Sequence, residues 1–230
     1  MLKFKSFQVP SANTILNGRC YYSSQLPLQK NVIISHGFGS SMLSNANLVK
    51  PLVKVGFRVI LFNFKQFHND TDDTSVLTEK QNLISMVRFV KQNSNLKTLD
   101  LVGCSQGGLV SALVANDYPR LINKLALLYP AFCIPHDARM HKYQSLMGIK
   151  LNSKYINDAK RLDPWIQILH YRRPVLLCHG NRDQLVNIKY SEKAHSTYKN
   201  SKLVTIRNGD HGFQHGFVPA LTALVKFLKM

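Results

Sequence analysis

The sequence predicts an α/β protein of one domain, built on a mostly parallel, doubly wound sheet. Six short apolar runs recur along the chain, and continuous apolar strands are typical of a parallel sheet covered on both faces. Helical patterns separate the runs, and this alternation of strand and helix favours an open, doubly wound sheet. A chain of 230 residues fits one core, since cores split beyond about 250 residues. The runs lie at 32–34, 59–62, 99–102, 125–128, 175–178 and 203–206.

The first 23 residues differ from this pattern, because apolar and polar residues alternate there. Such alternation predicts strands with one solvated face. Asn17-Gly18 lies between two candidate strands, and an Asn-Gly pair in that position is a strong hairpin signal. We therefore expect an N-terminal antiparallel hairpin that turns at Asn17-Gly18.

Five helices are predicted between the strands. Gly56 is expected to end the first one, and Thr78-Glu79-Lys80-Gln81 is typical of a capping box, with Gln three residues after Thr. The second helix is therefore predicted to begin at Thr78. The five helices are predicted at 43–55, 78–92, 106–116, 188–198 and 217–228.

One segment interrupts the alternation. Residues 134–173, here called the inserted segment, separate two strands that short loops around one helix could join. We interpret the segment as an inserted lid within the single domain of residues 1–230; the alternative is a surface helical hairpin without a substrate role. It holds eight Lys or Arg, three Asp and four aromatic residues, namely Tyr143, Tyr155, Trp165 and Tyr171.

Composition narrows the class of partner. The chain has 30 Lys plus Arg against 12 Asp plus Glu, a formal charge of +18, and such a field attracts anions, anionic substrates included. The basic residues are scattered, without zinc-finger spacing, an RNP-like run or a basic-region helix, so specific nucleic-acid binding is not expected. The oligomeric state is left open.

Nothing in the sequence predicts a cofactor, a metal site or a membrane span. The four cysteines are widely spaced and form no CxxC pair, and no apolar run reaches the 18 residues of a membrane helix. The N-terminus lacks the continuous apolar stretch of a signal peptide. A cytoplasmic location is therefore predicted.

The pentapeptide Gly103-Cys104-Ser105-Gln106-Gly107 is the strongest chemical signal. It follows the predicted strand 99–102 and precedes a predicted helix, which is the context that a nucleophile elbow requires. A sharp turn there brings strand and helix backbones together, so glycines are needed beside a serine in a strained conformation. We expect Ser105 to be a nucleophile.

A serine hydroxyl needs a base, and the base needs a partner that orients it. In a strand-turn-helix arrangement of this kind the order is Ser, then Asp or Glu, then His. Asp183 follows the strand 175–178 and His211 follows the strand 203–206, so both are expected at the ligand-binding edge. We therefore predict His211 as the base and Asp183 as its partner.

Other residues compete for these roles. His215 lies four positions after His211 but further into a predicted helix, so His211 is favoured. Asp210 is adjacent to His211 in sequence, where a mutual hydrogen bond is unusual. Asp163 lies within the inserted segment. Asp183 is preferred to both.

The loop Ser35-His36-Gly37-Phe38-Gly39-Ser40-Ser41 follows the strand 32–34. Its backbone amides can meet an oxyanion that develops at Ser105. We predict the N–H groups of Phe38 and Gln106 as the two donors. His36 is expected to brace the loop by hydrogen bonding.

With these motifs the sequence resembles the α/β-hydrolase superfamily over nearly its whole length, and within it the bacterial feruloyl (cinnamoyl) esterases. The resemblance implies an α/β-hydrolase fold, and hydrolysis of small acyl or aryl esters, hydroxycinnamoyl esters included, through an acyl-enzyme. Ser105, Asp183 and His211 would form the triad, and Phe38 and Gln106 the oxyanion hole. The matching strings are HGFGSS at 36–41, GCSQGG at 103–108, HGNRDQLV at 179–186 and GDHGF at 209–213.

Two other functions stay open at this point. The same triad could serve a peptidase, a thioesterase or an acyltransferase. A non-catalytic protein could use the +18 charge to hold an anionic polymer or surface. The shorter insertion, and Cys104 where a His is common, are departures from the feruloyl esterase pattern.

Overall fold

The computed structural model describes residues 1–12, 14–27, 30–65, 73–141 and 145–230. Its centre is an eight-stranded sheet, and a short hairpin of two further strands lies apart from it. In chain order the strands are β1 Leu2–Ser11, β2 Thr14–Ser23, β3 Lys30–Ser35, β4 Phe57–Phe62, β5 Leu99–Cys104, β6 Ile122–Leu128, β7 Ser145–Leu146, β8 Ile149–Lys150, β9 Val175–Gly180 and β10 Ser201–Ile206. All six predicted parallel strands lie within these bounds.

The strand order across the large sheet is β1-β2-β4-β3-β5-β6-β9-β10. Strands β3 to β6, β9 and β10 pair in parallel, whereas β2 pairs antiparallel with both β1 and β4. The chain leaves β3 for β4 on one side and then returns to β5 on the other. Such a reversal opens a crevice beyond the carboxyl ends of the strands, where ligands bind in open α/β sheets.

Helices cover both faces of the sheet, which confirms the predicted doubly wound architecture. The helices α2, α3 and α7 pack on one face, and α1 and α8 on the other. A 3-10 helix spans Met42–Leu48, and the α-helices are α1 Val49–Lys54, α2 Val76–Gln92, α3 Gln106–Asp117, α4 Ile134–Arg139, α5 Ser153–Arg161, α6 Pro164–Gln167, α7 Lys189–Thr197 and α8 Phe217–Lys229.

The N-terminal hairpin is confirmed, but its predicted turn at Asn17-Gly18 is wrong. Strand β2 runs straight through this pair, with Gly18 opposite Phe7 of β1. A Cβ at Gly18 would lie 2.5 Å from the Phe7 ring, which stacks on Phe89 of α2 with ring centroids 5.1 Å apart. Gly18 therefore makes room for the Phe7 ring on the neighbouring strand. The chain reverses between Ser11 and Thr14.

Two helix starts also differ from the predictions. Helix α2 begins after Ser75, whose hydroxyl accepts the N–H of Thr78, so the predicted capping box at Thr78 is wrong. The predicted helix 43–55 divides into the 3-10 helix and α1. Pro51 lacks the N–H that a continuous α-helix would bond to the carbonyl of Asn47, and this accounts for the break.

The inserted segment connects β6 to β9 and contains α4, the β7–β8 hairpin, α5 and α6. Tyr143 lies outside the described residues. Across the ranges given above, no helix is both long enough and apolar enough to cross a membrane.

Candidate active site

Ser105 lies in a sharp turn between β5 and α3, at a φ of 53°. A non-glycine residue in this region stores about 1–3 kcal/mol of backbone strain, which persists only when the surroundings hold it. A Cβ at Gly107 would lie 2.4 Å from the carbonyl oxygen of His36, and one at Gly103 would lie 2.4 Å from that of Gly107. These two glycines let α3 approach the strands closely enough to expose Ser105.

The structure brings Ser105, His211 and Asp183 together, although they are far apart in the chain. His211 Nε2 lies 3.0 Å from Ser105 Oγ, and His211 Nδ1 lies 2.8 Å from Asp183 Oδ2. The Asp183 carboxylate accepts a hydrogen bond from Nδ1–H, which leaves Nε2 to accept the hydrogen bond of the serine hydroxyl. The arrangement can therefore move a proton from Ser105 to His211.

The Asp183 carboxylate is buried and accepts four hydrogen bonds. Oδ1 accepts the N–H groups of Leu185 and Val186, while Oδ2 faces His211 and His179. Burial alone would raise the pKa of Asp183, but the bonds from His179, His211 and Val186 outweigh it and hold that pKa well below its usual value. The carboxylate stays ionised and can stabilise a protonated His211.

His179 is a residue of this site that the sequence analysis did not single out. It is fully buried near the end of β9, and its Nε2 lies 3.0 Å from Asp183 Oδ2 and 2.9 Å from the carbonyl oxygen of Val186. Both neighbours are acceptors, so Nε2 carries the proton, and Ser191 Oγ–H donates to Nδ1 at 2.7 Å. His179 thereby fixes the carboxylate of Asp183. In the sequence, the one indication of this contact is that His179 lies four positions before Asp183.

Tyr129, which follows β6, is the second residue that sequence reasoning missed. Its ring contacts those of His211 and Phe213 edge-to-face, with centroids 4.8 and 4.9 Å apart. It also shares a side-chain hydrogen bond with Cys104. Burial raises the pKa of Cys104 to about 12, so its thiol stays protonated at neutral pH. No short-range pattern in the sequence links these residues.

The competing candidates make other contacts. His215 pairs with Asp210 at 3.0 Å on the surface, where its side chain is 79% exposed. Asp163 caps α6 by accepting the N–H of Trp165 at 3.1 Å. In the part of the chain that the structure describes, the pair hydrogen-bonded in line with Ser105 is therefore His211 and Asp183.

The loop that follows β3, up to residue 41, passes directly beside Ser105. A Cβ on Gly37 would lie 3.1 Å from that of Ser105, and the next residue, Phe38, is buried. Gln106 is the first residue of α3, and the first N–H groups of a helix have no partner within it. His36 braces the loop as predicted: its Nδ1–H donates to the Gly37 carbonyl and its Nε2 accepts the Phe64 N–H. Burial lowers the pKa of His36, which favours this neutral form.

A pocket lies beside Ser105 and Gln106, and the inserted segment forms much of its wall. The lining is mostly apolar, with Asp137 and Tyr155 as its other polar members. Among the residues that the structure describes, which exclude 13, 28–29, 66–72 and 142–144, no three His, Cys, Asp or Glu side chains lie close enough together to bind a metal ion. The apolar lining comprises Ala131, Cys133, Ile134, Ala138, Leu146, Leu151, Ile156, Leu185 and Val186.

Solved structures of similar proteins share this architecture. Est1E from Butyrivibrio proteoclasticus superposes with a TM-score of 0.90 at 24% identity, covering 97% of both chains. A second structure of Est1E holds ferulic acid and superposes with a TM-score of 0.88. The esterase domain of a Rhodothermus marinus protein gives 0.75 at 17% identity, covering 99% of this chain and 97% of that one. These likenesses confirm the fold that the resemblance implies.

Sequence relatives agree with this placement. The uncharacterized hydrolase YugF of Bacillus subtilis is 22% identical over 237 residues, covering 83% of this chain and 86% of YugF. YfhR of Escherichia coli is 26% identical over 185 residues, and the match covers 78% of this chain but 62% of YfhR. The family profile of the α/β hydrolase fold matches residues 30–157, more than half of the chain. The protein is therefore a member of the α/β-hydrolase family.

Proposed function

We propose that the protein is a serine esterase that hydrolyses small acyl or aryl carboxylic esters through an acyl-enzyme at Ser105. The observation that carries the proposal is the continuous line of hydrogen bonds from Ser105 Oγ through His211 to Asp183. The strained elbow that presents Ser105, with the apolar pocket beside it, supports the same assignment.

In the first half of the reaction Ser105 Oγ attacks the ester carbonyl carbon while its proton passes to His211 Nε2. The carbonyl π electrons move to oxygen, and the N–H groups of Phe38 and Gln106 stabilise the resulting oxyanion, each worth about 2.7–4 kcal/mol in comparable sites. The intermediate collapses, the bond to the alcohol oxygen breaks, and His211 returns the proton to that oxygen. Asp183 stabilises the imidazolium throughout.

In the second half a water molecule takes the place of the alcohol. His211 accepts its proton as the water oxygen attacks the acyl carbon, and the same two N–H groups hold the second oxyanion. Collapse breaks the bond to Ser105 Oγ, which takes the proton back from His211. The acid leaves and the enzyme is regenerated.

The pocket supports an aryl acyl group as the preferred substrate class. Its walls are apolar, as a hydroxycinnamoyl ring requires, and Asp137 can meet a polar substituent. Est1E, which has a similar fold, binds ferulic acid. The inserted segment would then act as a lid over the acyl group, and the +18 charge would favour anionic esters. No cofactor enters this scheme.

Turnover of 4-nitrophenyl acetate and 4-nitrophenyl ferulate tests the proposal. We expect the Ser105→Ala and His211→Ala variants to lose nearly all activity, with only the residual catalysis of the oxyanion hole remaining. Ser111→Ala, in the same helix, and His215→Ala, on the surface, are matched controls that should turn over both esters like the wild type.

Equal turnover by the wild type and Ser105→Ala would overturn the proposal. So would a wild type that hydrolyses neither ester but binds an anionic polymer with steeply salt-dependent affinity, which is the behaviour of a basic binding protein. Hydrolysis of a peptide or a thioester in preference to both oxygen esters would assign the same triad to another reaction.

A further inference from the structure

A line of buried side chains connects the inserted segment to the turn at Ser105. Tyr155 of α5 donates its hydroxyl proton to Gln106 Oε1 at 2.6 Å. Gln106 in turn donates from Nε2 to Oε2 of Glu79, in α2, at 2.8 Å. All three side chains are at least 97% buried. The amide of Gln106 is therefore held at its oxygen by one helix and at its nitrogen by another.

Gln106 is also the residue whose backbone N–H is proposed above to hold the oxyanion. If its side chain rotated, a buried carbonyl or amide group would lose its hydrogen-bond partner, which is unfavourable for a group that water cannot reach. The two hydrogen bonds thus fix the side chain and, through it, the first residue of α3. An oxyanion donor works only when its N–H is aimed before the reaction begins.

Tyr155 contacts the residue of the second proposed donor as well. Its ring meets the Phe38 ring edge-to-face, with centroids 5.8 Å apart. Phe38 is 5% exposed, so the ring is held within the core. One side chain of the inserted segment therefore contacts both residues whose N–H groups form the proposed oxyanion hole.

Polar contacts fix the start of α5 against the start of α2. Asn152 caps α5 by accepting the Tyr155 N–H at 2.7 Å, and its Nδ2 donates to the carbonyl oxygen of Thr74 at 3.2 Å. Ser75, which caps α2, donates its hydroxyl proton to Asp158 Oδ2 of α5 at 2.6 Å. The junction that places Tyr155 also places the helix that carries Glu79.

We propose that Tyr155 is a positioning residue for ester hydrolysis, which holds Gln106 by its hydroxyl and Phe38 by its ring. The inserted segment must then be docked on α2 for the oxyanion hole to be complete. This inference rests on the proposed serine esterase function and adds a role for the lid beyond contact with the acyl group. Tyr155 acts through Gln106 and Phe38, and not on the reacting atoms.

The Tyr155→Phe variant tests this inference, because it keeps the ring and removes the hydroxyl. Tyr171→Phe is the matched control, since Tyr171 is equally buried and its hydroxyl donates to the Ile122 carbonyl, away from Ser105. We expect Tyr155→Phe to lower kcat/KM by about 10-fold for both 4-nitrophenyl acetate and 4-nitrophenyl ferulate, with KM little changed, because a misplaced donor costs transition-state binding. Tyr171→Phe should match the wild type.

The two esters separate positioning from substrate contact. A loss confined to the ferulate ester, or a rise in KM alone, would mean that Tyr155 acts by contacting the substrate and would overturn the inference. Full activity in Tyr155→Phe would overturn it as well. Gln106→Met breaks the same hydrogen bond from the other end and repeats the test if Tyr155→Phe does not fold. The double variant should lose no more than Gln106→Met alone, because coupled residues are not additive; additive losses would contradict the inference.

Failure of the proposed function gives a different result. In that case the wild type and every variant would lack turnover of both esters, or Ser105→Ala would retain it. The inference about Tyr155 fails when the wild type is active and Ser105→Ala is inactive, but Tyr155→Phe keeps full activity, loses activity on the ferulate ester alone or changes KM alone. It fails likewise when the losses of Tyr155→Phe and Gln106→Met are additive.

Discussion

The turn at Ser105 and the inserted segment meet at one pocket, but different interactions hold them in place. At the turn, backbone packs directly on backbone, because a Cβ on Gly107 would lie only 2.4 Å from the carbonyl oxygen of His36. The inserted segment is held by side chains, as in the hydrogen bonds from Tyr155 to Gln106 and from Ser75 to Asp158. A turn that depends on glycines can be recognised from a few consecutive residues of the sequence. The contacts of a segment that depends on partners far away in the chain cannot be recognised in this way.

The largest expected effect concerns the line of hydrogen bonds at the turn. Asp183→Asn replaces an acceptor by an amide that can donate to His211, which disfavours the tautomer that accepts the proton of Ser105. We expect kcat to fall by about 10⁴-fold, as in other triads where this change leaves the geometry intact. Ester turnover at neutral pH measures it.

Asp163→Asn is the matched control in the inserted segment. Asp163 caps α6, and asparagine caps a helix equally well, so this variant should keep wild-type turnover. Comparable losses in both variants would contradict the assignment of Asp183 and remove the contrast between the two regions.

The second prediction compares a glycine from each region. Gly107→Ala places a Cβ against the carbonyl oxygens of His36 and Ser35. Because these backbone atoms cannot move aside easily, we expect the variant to lose about 3 kcal/mol or more of the free energy of unfolding. Gly148→Ala meets nothing within 4 Å, but its φ of +77° strains an alanine, so about 1 kcal/mol is expected. Urea unfolding measures both. Equal losses would show that the turn is not specially constrained.

The third prediction concerns Glu79, where the two regions join. Burial raises its pKa from 4.5 to about 8, against the lowering effect of the bond from Gln106. The folded protein therefore binds a proton between these pH values that the unfolded chain has released, so the free energy of unfolding falls as pH rises through this window. The total loss is on the order of a few kcal/mol, at about 1.4 kcal/mol per pKa unit.

Glu79→Gln keeps an acceptor for Gln106 and cannot titrate. Its stability relative to the wild type should therefore rise between pH 5 and pH 8, whereas Glu192→Gln, in α7 and away from this junction, should follow the wild type. If the free energies of unfolding of the wild type and Glu79→Gln changed in parallel with pH, Glu79 would not be protonated in the folded protein at these pH values, and the prediction would be contradicted.

The sequence predicted the parallel sheet well, because its strands carry short, mainly apolar runs, and those in β3, β4, β5, β6 and β9 are buried on both faces. The edge strand β10 is only partly buried. It failed where a local signal had a tertiary use. Asn17-Gly18 has the residues of a turn, but Gly18 makes room for the Phe7 ring. Thr78 has the residues of a cap, but Ser75 lies closer to the junction with α5 and takes that place.

For the candidate site, order along the chain was enough to select residues that the structure places in mutual contact. Ser105, Asp183 and His211 each follow a strand, and the fold brings those strand ends to one edge. His179 and Tyr129 were missed because they act on other side chains, and neither residue type nor position in the sequence shows those contacts before the fold is known. The cytoplasmic location and the absence of specific nucleic-acid partners rest on the sequence alone and stay predictions.

Covalent labelling of Ser105 tests the central claim most directly. Diethyl 4-nitrophenyl phosphate should phosphorylate the serine oxygen and release 4-nitrophenolate, with one diethylphosphoryl group per chain appearing in step with the loss of esterase activity. Peptide mass mapping should locate it on Ser105, and Ser105→Ala should take up none. Labelling of another residue, or full activity in a protein labelled at Ser105, would contradict the account.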